Sequence, residues 1–206
     1  MLLRSAFIIT GLLLSTTAFA EDVSCTPRSG NNVPPVQIER VQRIWLSWTN
    51  RLRRRLDLQP YVLNDQLNAS AMNWATFAAQ HGSIDHKRSA DASYYDYTAI
   101  EQWFANRGLT FKNVNRITFT ENIGWGRFDC EEADCTRALI RGIRTTYRYY
   151  LAERTKQSRP HYNSIVNPEF QEIGVGFAHD PVKKQYYVTI HYGTEITSSP
   201  PPLCAI

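Results

Sequence analysis

The sequence predicts an α+β fold, because helical patterns come first along the chain and a hairpin pattern comes last. From Val36 to about Asp57, apolar residues recur every three or four positions, which is the period of a helix buried on one side. Near the C-terminus, two segments that alternate apolar with small or polar residues flank Asp180-Pro181, as in an antiparallel hairpin. No repeat or linker divides the chain, so we expect one domain.

The first twenty residues have the pattern of a signal peptide. Arg4 supplies the positive start, residues 6–14 are apolar, and Ala18-Phe19-Ala20 gives the small-x-small motif for cleavage before Glu21. The apolar run is about ten residues, whereas a membrane-spanning helix needs about twenty. We therefore expect residues 1–20 to be removed, no transmembrane anchor, and a secreted, extracellular or periplasmic protein.

Cleavage would leave 186 of the 206 residues and lower the net charge from +4 to +3, because Arg4 is the one charged residue removed. Within the remainder we predict a leader loop over 21–35, one domain over 36–196 and an extended tail over 197–206. A mild positive charge on an exported chain does not indicate a nucleic-acid partner. The hydrophobic content of 43% argues against global disorder.

Four cysteines in an exported chain indicate disulfides, and three pairings are possible. We expect Cys130–Cys135, which are five positions apart in a polar stretch, and Cys25–Cys204, which lie near the two ends of the chain. A metal site is the alternative, although two cysteines five apart lack the paired short spacing of a zinc ribbon.

The helices and strands follow in order. A second helix is predicted after Asn64 or Asp65, either of which suits the N-cap, and it ends at Gly82. Its apolar side is rich in alanine and allows another element to approach closely. A short helix over 98–106 and a strand over 117–125 come next, and the inner row of that strand contains one carboxylate.

A third long helix is predicted from Asp134 to about Arg154, before the closing hairpin. One face of the hairpin carries Gly174 and Gly176, which predicts the close approach of a helix or loop. The basic run over 51–55 on the first helix is expected to be solvated, with contact to anionic lipid or polysaccharide as the alternative. Eight residues are predicted to be largely buried: Trp45, Trp48, Leu67, Trp74, Ile173, Val175, Val188 and Ile190.

A combination of short segments stands out from the rest of the chain. Ile-Asp-His-Lys-Arg at 84–88 is followed by Thr-Glu-Asn-Ile-Gly-Trp-Gly at 120–126, then by the segments 160–176 and 186–193. In this order they resemble the bacterial form of the CAP superfamily (SCP domain; cysteine-rich secretory, antigen 5, pathogenesis-related 1). The resemblance extends from about 37 to 194 and implies a three-layer α-β-α sandwich around a central antiparallel sheet.

The resemblance also implies a cleft with two histidines and two glutamates. His86, Glu121 and His161 match three of these positions, and Glu153 fits the fourth, with Tyr150 where the family usually has tryptophan. Two neutral imidazoles in one cleft suit zinc or another divalent cation, and a nearby carboxylate orients an imidazole. The alternative is a polar network that only joins helices to the sheet.

The function we expect is that of an exported, non-enzymatic domain that binds a small or lipid-like ligand, or a cell-envelope component, together with a divalent cation. A metal-assisted secreted hydrolase or protease is one alternative, with Glu121 or Glu153 as general base. An envelope interaction module without a small ligand is another. His191, on the last strand, is expected to be structural or solvated.

Overall fold

The computed structural model describes residues 36–87, 101–102, 104–106, 108–114 and 117–198. The long helices are α1 Ile38–Arg55, α2 Asp65–His81 and α3 Thr136–Ala152, and the short helix α4 is Pro160–Val166. A 3-10 turn, Glu153–Thr155, follows α3. The strands are β1 Val62–Leu63, β2 Thr110–Phe111, β3 Phe119–Arg127, β4 Glu172–Asp180, β5 Gln185–Gly193 and β6 Ile196–Ser198.

The main sheet is mixed and has the strand order β1-β4-β5-β3. The three long strands are antiparallel neighbours, and the two-residue β1 pairs in parallel with β4. β3 is therefore an edge strand. β2 and β6 form a separate antiparallel pair, so residues 197–198 belong to a strand rather than to the tail predicted from 197.

Helix α2 lies against one face of the sheet, where the glycines of β4 leave room for it. A Cβ added to Gly174 would lie 2.0 Å from the carbonyl carbon of Leu67, and one added to Gly176 would lie 2.1 Å from that of Ala71. The predicted close approach is thus made by α2. Asn64 caps the helix by accepting hydrogen bonds from two backbone amides, and Gly82 ends it at φ +66°.

Helices α1 and α3 cover the opposite face and complete three layers. Trp45 of α1 packs edge-on against Tyr147 and Tyr150 of α3, at ring distances of 5.3 and 6.2 Å. Seven of the eight residues predicted for the core are buried. The eighth, Trp48, is half-buried between α1 and α3.

Arg53 corrects one prediction, because it is fully buried instead of lying on a solvated helix face. Its guanidinium donates hydrogen bonds to four carbonyl oxygens, and its carbon lies 3.8 Å from the ring centroid of Tyr61. Burial lowers the pKa of this guanidinium. The four acceptors are the carbonyls of Gln59 (2.6 Å), Ile165 (2.9 Å), Asn167 (2.9 Å) and Phe170 (3.1 Å).

The Cys130–Cys135 disulfide is present just before α3. The other expected disulfide, Cys25–Cys204, lies outside the described residues, as do the predicted signal peptide and leader loop. Within the described ranges, none of the helices combines the length and the apolar character that crossing a membrane requires.

Candidate functional site

The candidate site surrounds the edge strand β3, whose consecutive side chains point to opposite faces of the sheet. Glu121 pairs across the sheet with His191, and Gly174 lies opposite His191 on the next strand. Glu121 therefore projects to the α2 face. Asn122 projects to the other face, where its amide donates a 3.1 Å hydrogen bond to the carbonyl of His161.

On the α2 face, Glu121 joins two imidazoles in a buried chain of hydrogen bonds. Its Oε1 lies 2.8 Å from His86 Nδ1, and its Oε2 lies 2.7 Å from His191 Nε2. His191 Nδ1 in turn lies 2.6 Å from the hydroxyl of Ser70 on α2. All four residues are buried. This series of hydrogen bonds therefore fixes the ring of His86 through Nδ1, on the side of Glu121.

On the opposite face, Glu153 performs the same role for His161. Glu153 Oε1 lies 2.6 Å from His161 Nδ1, while Oε2 accepts from the backbone amides of His161 and Tyr162 at 3.0 and 3.3 Å. The imidazole stacks on the Tyr150 ring, with centroids 4.4 Å apart and planes 6° apart. The carboxylate and the tyrosine together fix the plane of the His161 ring.

His86 and His161 line one cavity of about 640 Å³ that opens beside β3. Trp125 and Tyr149 also line it and are more than half exposed. No described carboxylate belongs to the lining, since Glu121 and Glu153 lie behind their histidines. The lining residues are Ile84, His86, Ile123, Gly124, Trp125, Gly126, Arg127, Gly142, Thr145, Thr146, Tyr149, Tyr150, His161 and Tyr186.

The hydrogen bonds to the carboxylates select the tautomer of each cavity histidine. A carboxylate accepts, so Nδ1 of His86 and of His161 carries a proton, and a neutral ring then has its lone pair at Nε2. This is the arrangement that metal-binding histidines commonly have, with the second nitrogen donating to a carboxylate. The described residues contain no group of three or more His, Cys, Asp or Glu side chains placed to hold a metal ion.

Tyr150 adds a polar group to the cavity lining. It is 1% exposed, and its hydroxyl has no hydrogen-bond partner among the described residues. Burial, followed by the nearby Tyr186, Glu153 and Glu121, holds the pKa of this phenol well above its ordinary value. Tyr150 therefore remains neutral and supports the His161 ring by stacking.

The structure brings together the four residues proposed for the cleft, in two pairs. Glu153, whose placement depended on tyrosine substituting for tryptophan three positions before it, contacts His161 directly. His191 and Ser70 are additional members of the Glu121 chain that sequence reasoning did not place there. The alternation of β5, which put His191 on the face opposite Ile190, was the available indication.

The model of the cysteine-rich secretory protein family, CAP, matches residues 46–192, more than half of the chain. No curated protein sequence matches the chain.

Solved structures are similar to this chain at low sequence identity, and two of those described here have TM-scores of 0.50 or more. An outer surface protein of Borrelia burgdorferi is 14% identical with a TM-score of 0.52, over 76% of this chain and 95% of that chain. BmVAL-1 is 13% identical with a TM-score of 0.50, over 87% and 89%. An extracellular SCP-domain protein of Bacillus anthracis is 16% identical with a TM-score of 0.48, and the match spans 75% of this chain and 40% of that longer chain.

Proposed function

Since the chain belongs to the cysteine-rich secretory protein (CAP) family, we propose that it is an exported binding domain whose cavity takes a ligand beside a divalent cation. One observation carries this proposal: two imidazoles reach the same cavity from opposite faces of β3, each oriented by its own carboxylate. A network that only joined helices to the sheet would not need both rings at the cavity wall.

Imidazole is a ligand that zinc accepts, and two imidazoles line this cavity. His86 and His161 would hold it through Nε2, and Glu121 and Glu153 would fix the two rings from behind. Bound there, the cation would supply a Lewis acid with positions open to ligand oxygen atoms. The chain itself keeps both rings in one tautomer and in fixed planes.

The ligand we propose is a lipid-like molecule or another component of the cell envelope. The mouth of the cavity exposes Trp125 and Tyr149, which combine apolar rings with polar edges. Mostly apolar walls with a few polar groups at fixed positions are typical of small-molecule sites. Export is supported by the signal-peptide pattern of residues 1–20 and by the Cys130–Cys135 disulfide.

The geometry favours binding over hydrolysis. A metal-assisted hydrolase needs a general base that reaches a water molecule in the cavity. Among the described residues, Glu121 and Glu153 are the two carboxylates nearest the imidazoles, and both are buried behind them as hydrogen-bond acceptors. Their placement suits them to orienting the imidazoles.

The test is calorimetric titration of zinc into the mature protein purified without chelator, alongside metal analysis of the same preparation. His161→Ala should abolish stoichiometric binding, because it removes one of two imidazole ligands. His81→Ala is the matched control, since His81 is exposed at the end of α2 and outside the cavity. Equal zinc affinity in the wild type and His161→Ala would refute the proposed cation site.

The ligand part of the proposal has its own test. Organic extraction of the purified protein followed by mass spectrometry should recover an envelope lipid or related component in amounts near equimolar. Thr145→Trp would partly fill the cavity from the α3 side, where Thr145 is an exposed lining residue, and should reduce that amount, while His81→Ala should not. A protein that carries nothing and takes up none of the envelope extract would contradict ligand binding.

A further inference from the structure

The positive charge of this protein is concentrated on α1 and α3. These two helices contain ten arginines and one acidic residue, Glu39, a net charge of +9. The whole chain carries +4, so all other residues together sum to −5. Nine of the ten arginines are exposed, and we call them the arginine face: Arg40, Arg43, Arg51, Arg54, Arg55, Arg137, Arg141, Arg144 and Arg148.

The arginine face is continuous across the two helices. The Arg144 guanidinium of α3 lies 5.2 Å from the ring centroid of Trp48 on α1, and that ring lies 5.6 Å from Tyr147. Along α1, Arg40 to Arg54 spans about 21 Å at the rise of a helix. Neighbouring packed helices are about 8–10 Å apart, so the arginines form two parallel rows in one outer layer.

These guanidinium groups are almost unpaired within the described part of the chain. Arg43 forms an exposed ion pair with Glu39 at 3.2 Å, and none of the other eight has a described carboxylate within ion-pair distance. Asp134 is the other acid near the face. Its hydrogen bonds with Thr136 are the main cause that lowers the pKa of its carboxyl, and the positive charge of Arg40 adds to this. The folded domain therefore leaves this charge available to an external partner.

The basic residues of the face are all arginine. The five lysines of the chain are Lys87, Lys112, Lys156, Lys183 and Lys184, and none lies on α1 or α3. Arginine has a planar fork that binds phosphate and carboxylate oxygens in pairs and is less strongly hydrated than lysine. The composition points to recognition of oxyanions.

We propose that the arginine face docks on the surface of a bilayer that contains anionic phospholipids. Two parallel rows on one outer layer can meet many headgroup phosphates at once, whereas a single polyanionic chain would follow one row. The face has no stripe of exposed apolar side chains, since Trp48 between the rows is half-buried. Attraction is therefore electrostatic and does not depend on the cavity.

The experiment is cosedimentation of the mature oxidised protein with vesicles of phosphatidylcholine, with and without phosphatidylglycerol. Each arginine near an anionic surface contributes about a fivefold increase in partitioning. The variant R40Q/R51Q/R144Q/R148Q should therefore lose several hundredfold in partition coefficient. The control K87Q/K112Q/K183Q/K184Q removes the same four charges elsewhere and should stay within about threefold of wild type.

Three further arms complete the test. A second variant, R54Q/R55Q/R137Q/R141Q, leaves the Arg144 contact to Trp48 intact and should show the same loss. Binding should vanish at about 0.5 M NaCl, where screening is strong, and His81→Ala should bind like wild type, because His81 is exposed at the end of α2 and lies outside the arginine face. Equal binding to neutral vesicles, equal loss in the lysine control, or binding to soluble dextran sulfate without binding to anionic vesicles would overturn the proposal.

Discussion

Replacing the buried Arg53 with alanine should destabilise the domain by about 4–6 kcal/mol. Hydrogen bonds from a charged donor contribute about 1.5–3 kcal/mol each. Two of the four, to the carbonyls of Ile165 and Phe170, are buried and would lose their donor with no access to water. The two partly buried carbonyls, at Gln59 and Asn167, can rehydrate and cost less.

Comparing Arg53→Lys with Arg53→Ala separates the loss of the planar guanidinium group from the loss of the positive charge. An ammonium keeps the charge but reaches fewer of the four carbonyls, so we expect a loss of about 2–4 kcal/mol. The assay is urea unfolding of the oxidised mature protein, extrapolated to water. Arg54→Ala, one residue further along and exposed, should change the free energy of unfolding by less than about 0.5 kcal/mol. A loss below 1 kcal/mol for Arg53→Ala would show that the four bonds do not hold α1 in place.

Three other outcomes are expected. Trp74→Ala should cost about 3–5 kcal/mol, because Trp74 is buried, stacks on its neighbour Phe77 at 4.6 Å and donates to the carbonyl of residue 85; an unchanged melting midpoint would contradict this packing. Non-reducing peptide mapping should recover Cys130–Cys135 and a second peptide pair joining residues 25 and 204; a peptide joining residues 25 and 130 would refute that pairing. Zinc should bind more weakly at pH 5 than at pH 7.5, because imidazoles must be neutral to ligate; equal calorimetric affinities would count against imidazole ligation.

Local signals in the sequence were enough to predict much of the fold. The cap at Asn64 and the stop at Gly82 depend on one turn of chain each, and both ends of α2 lie where these residues predict them. The paired glycines of β4 predicted the close approach of a helix or loop, and the structure shows that this element is α2. Such features were predictable because they require only neighbouring residues and a hydrophobic period.

Arg53 was predicted wrongly because the helix period alone does not show what lies beyond the apolar stripe. It adjoins that stripe on α1, and a solvated arginine is the ordinary outcome at such a position. Three of its four acceptors are carbonyls at the end of α4 and in the segment that follows it, more than 100 residues away. Backbone acceptors have no sequence signature, so no pattern around Arg53 could indicate them.

The candidate site was predictable as a set of residues but not as two hydrogen-bonded pairs. The four residues came from a resemblance in motif order, which carries no distances. The 3-10 turn after α3 brings Glu153 back to His161 over eight residues. The hydrogen bond between Glu121 and His191 depends on the register of β3 against β5. The hairpin pattern predicts the pairing of β4 with β5 and carries no information about β3.

The acceptors of Arg53 lie 112–117 residues later in the chain, apart from the nearby Gln59. A ribosome adds about 5–20 residues per second, so roughly ten seconds pass between the synthesis of Arg53 and the synthesis of these acceptors. β1 likewise cannot pair until β4, its only strand partner in the described sheet, has been synthesised. The contacts that anchor α1 and β1 therefore form only after most of the chain has been made, and non-local closure is slow. For a chain that we propose is exported, late closure would leave it flexible enough to thread through a narrow translocation pore.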